Sequence, residues 1–264
     1  MNEVNKTLYI PLYGKANVSK KGIILKDVKA ELIWEKEGFA LHGKAKSKWL
    51  TYYMGMRSAT FDRWVNKQIA DLPEATILHI GCGMDSRIER IGAMQNVWYD
   101  IDFPDVIQER KRYYKENMNY HMIEADARET VWIERIPEKE TAVVIMEGVS
   151  MYFTTQELEK LLQALCTHFQ HIHLLMDAYT DFAAKASKYK NPINDVGVTL
   201  VYGLDEPRSI EKQTGLIFLQ ELNMTPMEMI RELKGFERFF FKIMFGGKAA
   251  KKMYRLYEYA SEKA

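Results

Sequence analysis

A glycine-rich turn followed by an acidic strand end constrains the fold of this 264-residue chain more than any other feature. The strand-like run Thr76–Ile80 passes directly into Gly81-Cys82-Gly83-Met84-Asp85-Ser86-Arg87, and a second apolar strand ends at Asp102. Because glycine has no Cβ and can take positive φ, such a turn lets the backbone approach a ligand closely. An acidic side chain at the tip of the next strand can accept hydrogen bonds from both ribose hydroxyls. The pair predicts a nucleoside-containing cofactor above the carboxyl ends of parallel strands.

Strands alternate with helices from Thr76 to about Thr180, which is the pattern of a doubly wound, mostly parallel α/β sheet. The clearest helices are expected at Pro104–Asn117 and Thr155–Phe169. Near the chain end, the apolar run Phe239–Phe245 is bounded by glycines and predicts a last, antiparallel strand, with a helix at Lys248–Tyr259 after it. The expected strands of the core are Thr76–Ile80, Asn96–Ile101, Tyr120–Glu124, Thr141–Met146 and His171–Asp177.

A single domain spanning residues 1–264 is the predicted organisation, since no linker, repeat or low-complexity tract interrupts the chain. Residues 1–72 look largely helical and amphipathic and form a predicted N-terminal cap on the cofactor-binding core, residues 73–187. Proline and glycine interrupt residues 188–235, which are expected to form an irregular lid beside the acceptor. Its Met-rich part, Leu222–Met229, suits either an adaptable cover or ordinary helix packing. Residues 236–264 hold the expected final strand and helix.

Composition narrows the classes of partner. The formal net charge of +1 provides no global field that would attract nucleic acid or an anionic membrane. Two cysteines, Cys82 and Cys166, exclude a disulfide framework and a cysteine-rich zinc site, and no metal is predicted. The first residues do not resemble a signal peptide, and no apolar run is long enough to span a bilayer. We therefore expect a cytoplasmic protein, with no specific indication of a protein partner.

Acidic residues after successive strands distinguish two possible cofactors. The third position of the dinucleotide fingerprint is Ser86 instead of glycine or alanine, so that match is incomplete. Asp102, Asp126 and Glu147 follow the second, third and fourth strands. Asp126 could accept from an adenine amino group, and Glu147 could pair with a methionyl ammonium, which a nicotinamide cofactor lacks. The series favours S-adenosylmethionine, although each acid alone could instead cap a following helix.

The chain resembles the leucine carboxyl methyltransferase family, which includes bacterial O-methyltransferases acting on polyketides and other small acceptors. The resemblance covers nearly the whole chain. It implies a class I methyltransferase, Rossmann-like, whose seven-stranded sheet is mostly parallel with the last strand antiparallel. The matching segments are Pro11-Leu12-Tyr13-Gly14-Lys15-Ala16, Lys26-Asp27 with Ala30, Met56–Asp62, Gly81–Arg87, Asp100–Pro104, Asp126-Ala127-Arg128 and Glu147–Tyr152.

The resemblance implies which residues bind the methionyl part of S-adenosylmethionine. Lys15 and Arg57 would hold its carboxylate, since a buried carboxylate requires positive charge nearby. Gly81 would line the methionyl backbone within the turn that also contains Gly83, and Glu147 would face the ammonium group. Taken without the family, Lys15 and Arg57 would be interpreted as surface charges on amphipathic helices.

For the nucleoside, the resemblance assigns Asp102 to the ribose and Asp126 to the adenine. Ala127 falls where the family often has leucine, so its backbone would make any adenine contact. Arg128 matches an arginine that can face the acceptor pocket, and a salt bridge at the sheet edge is the alternative role.

The expected activity is methyl transfer to a carboxylate or hydroxyl of a small-molecule acceptor. A carboxylate needs no general base, whereas a phenol or alcohol would gain from one. Tyr152, Tyr179 and Tyr202 are candidates for lining the acceptor pocket. No histidine is assigned as a base, and His79 is expected to be a packed core residue. Methylation of a protein C-terminus, a non-catalytic S-adenosylmethionine-binding protein and a nicotinamide oxidoreductase remain as alternatives.

Overall fold

One central sheet organises the molecule in the computed structural model, which describes residues 8–38, 41, 43–92, 95–138, 140–187, 200–247 and 251–261. The described strands are β1 (Thr76–Ile80), β2 (Trp98–Asp102), β3 (Tyr120–Glu124), β4 (Thr141–Met146), β5 (His171–Tyr179), β6 (Leu216–Glu221) and β7 (Tyr254–Ser261). They form a seven-stranded sheet in the order β3-β2-β1-β4-β5-β7-β6. Strand β7 runs antiparallel to both of its neighbours, and the remaining pairs are parallel. The predicted fold class is confirmed.

Helices precede and connect these strands. The described α-helices are α1 (Tyr9–Lys20), α2 (Val28–Glu37), α3 (Lys48–Asp71), α4 (Arg87–Ile91), α5 (Pro104–Arg110), α6 (Thr155–His168), α7 (Asp181–Ser187), α8 (Glu211–Thr214), α9 (Met227–Glu232) and α10 (Gly235–Phe245). Helix α5 is shorter than the predicted Pro104–Asn117. Among the residues that the structure describes, no helix combines the length and the apolar character needed to cross a bilayer.

Both faces of the sheet are buried, as the near-continuous apolar strands require. In β4, Val143 and Ile145 join the core that α1 and α3 complete, whereas Val144 belongs to the core on the opposite face. Successive strand residues point to opposite faces, so one strand contributes to both cores. Helix α6 packs its leucines into the second core.

Close packing of α1 against α3 carries two cations into the interior. A Cβ built on Gly14 would lie 2.7 Å from Cβ of Met54, and one on Gly55 would lie 2.8 Å from a methyl carbon of Val18. The absence of side chains at these two positions lets the helices approach closely. Lys15 directly follows Gly14 and Arg57 lies two residues after Gly55, and both are consequently buried, with exposed fractions of 2% and 3%.

The final helix and strand occur in the opposite order from the prediction. The predicted strand Phe239–Phe245 is part of α10, and Tyr254 to Tyr259 of the predicted helix belong to β7. Short apolar runs do not distinguish a strand from an amphipathic helix, which explains the first error. Tyr257 and Tyr259 of β7 lie two residues apart, which suits a pleated strand. The charged residues among the tyrosines also fit the polar face of a helix, which explains the second error. Residues 248–250 lie outside the described residues.

The predicted lid also differs. Strand β6 was not expected in residues 188–235, and it forms the sheet edge beside β7. Met224 and Met229 are buried in the core and do not line the main cavity, so helix packing is the correct interpretation of the Met-rich segment. The first part of the predicted lid, residues 188–199, lies outside the described residues.

Candidate functional site

A cavity of about 500 Å³ lies above the carboxyl ends of the parallel strands. The turn after β1, the residues after β2 and the Glu147–Val149 segment after β4 form its floor. Strand β1 lies between β2 and β4. The chain adds β2 and β3 on one side of β1 and then crosses over to add β4 and β5 on the other side, so the strand order reverses at β1. Ligands of open α/β sheets bind in the crevice that this reversal creates. Helices α1, α3 and α10 complete the walls.

The glycine turn brings the backbone against the cavity. Gly81 has φ +70°, and a Cβ there would lie 2.7 Å from a methyl carbon of Val149. Gly83 has φ +50° and donates its N–H to Asp102 Oδ2 at 2.7 Å. Asp102 Oδ1 accepts from the N–H of Phe103 at 2.8 Å. Both carboxylate oxygens are thus oriented by one bond each and retain capacity to accept another.

Burial shifts the pKa of the Asp102 carboxyl. It raises the pKa of this carboxyl to about 6, although the two backbone N–H groups and Arg110 oppose the shift. A ligand that donates hydrogen bonds to both oxygens would favour the ionised form.

Arg57 lies between two acids at the end of the cavity beyond the turn. Its Nε contacts Glu147 Oε1 at 3.0 Å, and its Nη1 contacts Asp177 Oδ2 at 3.1 Å. Arg87 Nη2 also contacts Glu147. Burial alone would raise the pKa of Glu147, but Arg87 and Arg57 lower it to about 2. Glu147 is therefore a carboxylate throughout the neutral range.

Lys15 extends this charged cluster. Its Nζ lies 2.8 Å from Asp85 Oδ2, and Asp85 is also held by Arg90 at 2.7 Å. Arg90 in turn contacts Asp27 and Asp62, both at 2.7 Å. The cavity thus has a buried, mutually compensated set of cations and anions, which can supply partners of either sign.

Sequence reasoning missed several members of this cluster, namely Asp27, Asp62, Asp85, Arg87, Arg90 and Asp177. Most of them lie in segments that carry the family resemblance, but an isolated charge in sequence gives no sign of burial. Asp177 had a usable signal, because it continues along β5 the series of acids near successive strand ends. Its carboxylate accepts from the N–H of Gly148 at 2.6 Å.

The structure brings together most of the predicted cofactor residues. The cavity is lined by Lys15, Arg57, Gly81, Gly83, Asp102 and Glu147. Asp126 and Ala127 do not line it. Arg128 does not line it either, and holds Asp126 through Nε at 2.9 and 3.0 Å, a salt bridge at the sheet edge. Burial would raise the pKa of Asp126, but its bonds from Arg128 lower it.

Aromatic and sulfur-containing side chains line the rest of the cavity, including Tyr152 and Tyr179 from the predicted acceptor set. The rings of Tyr179 and Tyr254 meet edge to face with centroids 4.6 Å apart, and Tyr53 lies 6.1 Å from Tyr254. Burial raises the pKa of both Tyr53 and Tyr254 well above the usual range, so their hydroxyls stay protonated. Tyr202 lies elsewhere, beside a separate pocket of about 20 Å³.

Comparison with known sequences identifies the family. Residues 13–166 match the leucine carboxyl methyltransferase family. The chain is 30% identical over 184 residues to the tetracenomycin polyketide synthesis O-methyltransferase TcmP of Streptomyces glaucescens, covering 69% of this chain and 68% of that protein. It is 25% identical over 183 residues to the S-adenosyl-L-methionine-dependent methyltransferase dpfgK of Gibberella zeae, covering 64% and 61%.

Solved structures share the fold at low sequence identity. Magnesium protoporphyrin IX methyltransferase of Synechocystis PCC 6803, solved with bound SAH, is 13% identical with a TM-score of 0.51, covering 88% of this chain and 93% of that one. A protein of Thermobifida fusca is 14% identical with a TM-score of 0.57, covering 95% and 94%. The family match spans more than half of the chain. The chain therefore belongs to the leucine carboxyl methyltransferase family and is an S-adenosylmethionine-dependent methyltransferase.

Proposed function

We propose that this enzyme transfers a methyl group from S-adenosylmethionine to a carboxylate oxygen of a small, largely apolar acceptor. The observation that carries this choice is which groups could accept a proton in the aromatic half of the cavity, the part lined by Tyr53, Tyr152, Tyr179 and Tyr254. The histidine that lines the described cavity, His79, is engaged by Asp100 and Arg87, and Tyr53 and Tyr254 stay protonated. A carboxylate is already ionised at neutral pH and needs no proton acceptor, whereas a hydroxyl would benefit from one.

The residues present fit the cofactor. The side-chain-free turn at Gly81 and Gly83 leaves room for close backbone approach, and Asp102 has free acceptor capacity for a ribose. The cavity volume falls within the roughly 300–1,000 Å³ usual for small-molecule sites. Lys15 and Arg57 would hold the methionyl carboxylate, and Glu147 would hold the ammonium group. A buried zwitterion requires both signs of charge, and the cluster supplies both.

Adenine would extend towards the segment that follows β3. Asp126 and Ala127 are proposed to meet it there, at the same sheet edge as Asp102. Because Arg128 holds the Asp126 carboxylate, adenine would share this acid with Arg128 or displace it. We propose that Arg128 faces the acceptor only if adenine displaces it from Asp126.

The residues of this chain would act mainly by aligning the acceptor oxygen with the methyl group of the cofactor. When bound, the cofactor supplies an activated sulfonium methyl group. The charged cluster would fix the methionyl end, and the aromatic half would exclude water and hold the acceptor oxygen in line with that methyl group. The hydroxyls of Tyr53 and Tyr254 can donate hydrogen bonds to the second oxygen of an acceptor carboxylate. The name of TcmP, an O-methyltransferase of tetracenomycin polyketide synthesis, supports an oxygen atom as the acceptor.

A labelled-methyl transfer screen tests the acceptor class. Aromatic carboxylic acids, phenols of matched shape and peptides with free C-termini are compared at several pH values. With S-adenosylmethionine kept at a saturating concentration, we expect transfer to the acids with a rate independent of pH between about 6 and 8, because the acceptor is ionised throughout. Transfer to phenols alone would contradict the carboxylate proposal, and transfer to peptide C-termini alone would contradict the small-molecule proposal. Tight cofactor binding with no transfer to any acceptor would favour a non-catalytic binding protein.

A further inference from the structure

His79 connects two polar networks beneath the cavity. It lies in the middle of β1 with an exposed fraction of 1%, as expected for a core residue, yet it also lines the cavity. Its Nδ1 lies 3.1 Å from Asp100 Oδ1, and its Nε2 lies 3.1 Å from Nη1 of Arg87. An arginine can only donate, so Nε2 must accept and Nδ1 must carry the proton. The two partners define one neutral tautomer of the ring.

The Asp100 network supports the glycine turn. Asp100 also accepts from Trp98 Nε1 at 2.9 Å, from Arg110 Nε at 2.9 Å and from the hydroxyl of Tyr120. Arg110 Nη1 donates to the carbonyl of Gly83 at 3.0 Å. The N–H of the same glycine donates to Asp102, so this network reaches the nucleoside half of the site.

The Arg87 network supports the methionyl half. Arg87 is fully buried, donates through Nε to Asp62 at 2.7 Å and contacts Glu147 through Nη2. His79 is the acceptor that the structure provides for Nη1. The planar guanidinium is thereby fixed on three sides, and the direction in which it presents Nη2 to Glu147 depends on all three contacts.

We propose that His79 is a positioning residue that couples the two halves of the cofactor site and keeps Arg87 aimed at Glu147. The proposal rests on the proposed function for the identity of the ligand. Loss of the ring would affect the two halves unequally. Asp100 would retain Trp98, Arg110 and Tyr120 as donors, whereas Nη1 of Arg87 would lose its acceptor in a buried environment.

Calorimetric titration with S-adenosylhomocysteine (SAH) and with adenosine tests this asymmetry. His79→Leu keeps a side chain of similar bulk and removes both nitrogens. We expect it to weaken SAH binding about tenfold and adenosine binding by much less, because adenosine has no methionyl part. His79→Gln, whose amide can donate to Asp100 and accept from Arg87, should recover much of the SAH affinity. His121→Leu, on β3 and separated from β1 by β2, is the matched control and should leave both affinities unchanged.

Other results would separate the two proposals. Equal losses for SAH and adenosine, or wild-type affinities in His79→Leu, would overturn the positioning role. Failure of the wild-type protein to bind SAH would overturn the proposed function itself. Nitrogen NMR of the wild-type ring provides a test that needs no variant to fold. We expect a neutral ring protonated on Nδ1 from pH 6 to 8, and a ring protonated on Nε2 would overturn the proposal.

Discussion

Arg57 and Glu147 form an ion pair of 3.0 Å inside the cavity, with side chains only 3% and 4% exposed. These are the two groups assigned to opposite charges of the methionyl zwitterion. Their pairing compensates both charges, and Asp177 and Arg87 keep each partner oriented. A zwitterion would then meet groups already held in place, which reduces the cost of organising the site on binding.

Gly148 lies against the guanidinium group of Arg57. It has φ +72°, and a Cβ there would lie 3.2 Å from both Nη1 and Nη2 of Arg57. Gly148→Ala should weaken SAH binding about tenfold and leave adenosine binding nearly unchanged, measured by calorimetry. Gly215→Ala is the matched control, because it has φ +74° with nothing within 4 Å of the added Cβ. Equal effects of the two variants on SAH would show that backbone strain, and not Arg57, is responsible.

Removal of the Arg57 guanidinium should likewise weaken SAH binding more than adenosine binding. Arg57→Ala should weaken SAH binding by about tenfold or more, since a hydrogen bond to a charged group contributes about 1.5–3 kcal/mol. Adenosine affinity should fall much less. Equal losses for the two ligands would contradict the assignment of Arg57 to the methionyl carboxylate.

Asp102 is expected to dominate binding of the nucleoside. Asp102→Asn replaces one oxygen by a donor that cannot accept from Gly83 or from a ribose hydroxyl. Affinity for both SAH and adenosine should fall about tenfold or more. The exposed Glu138→Gln makes the same chemical change away from the cavity and serves as the control. Unchanged adenosine affinity in Asp102→Asn would mean that the ribose lies elsewhere.

The raised pKa of Asp102 predicts a pH dependence. We propose that the ionised carboxylate accepts from two ribose hydroxyls, and this form is lost as the pH falls through about 6, so SAH affinity should decrease between pH 7.5 and pH 5. The contribution of Asp102 to stability has the opposite sign. Its pKa in the folded protein lies above its ordinary value of about 4, so this contribution favours folding at low pH and is lost as the pH rises through about 6.

Calorimetry across this range in wild type and Asp102→Asn checks the assignment. SAH affinity should depend less on pH in the variant than in the wild type. Any remaining pH dependence is attributed to Asp177, whose pKa burial also raises to about 6. Identical slopes in the two proteins would show that Asp102 does not titrate with binding.

Two neighbouring tyrosines on α3, Tyr52 and Tyr53, allow a role in acceptor binding to be tested separately from a role in packing. Tyr53 lines the cavity, whereas the hydroxyl of Tyr52 donates to Glu237 at 2.6 Å and does not line it. Tyr53→Phe should lower kcat/KM for a carboxylate acceptor about fivefold to tenfold without changing SAH affinity, because it removes one donor to the acceptor. Tyr52→Phe should leave kcat/KM unchanged. A loss of SAH affinity in Tyr53→Phe would place this hydroxyl at the cofactor instead.

The parallel core could be predicted from sequence because its signals are local. Strands β1, β3 and β4 have the predicted bounds, since each is an apolar run beside turn residues. The end of the chain could not be assigned in the same way. The Phe239–Phe245 run is amphipathic as a helix and apolar as a strand, and only its contacts with α3, such as Phe240 against Trp49 at 4.5 Å, determine the outcome.

The site was predictable only in part for a related reason. The glycine turn and Asp102 follow from strand order, and the resemblance supplied Lys15 and Arg57. The partners of these cations are separated by long stretches of sequence, as Arg57 is from Asp177, and burial of a charge depends on the whole fold. His79 illustrates the limit, because its burial was expected and its two polar partners were not.

Equilibrium binding of SAH and of NAD to the unmodified chain tests the central claim most directly. Calorimetry at pH 7.5 should show one SAH bound per chain and no detectable binding of NAD, because the buried charges suit a methionyl zwitterion and the third glycine of the dinucleotide turn is Ser86. Binding of NAD without binding of SAH would contradict the account.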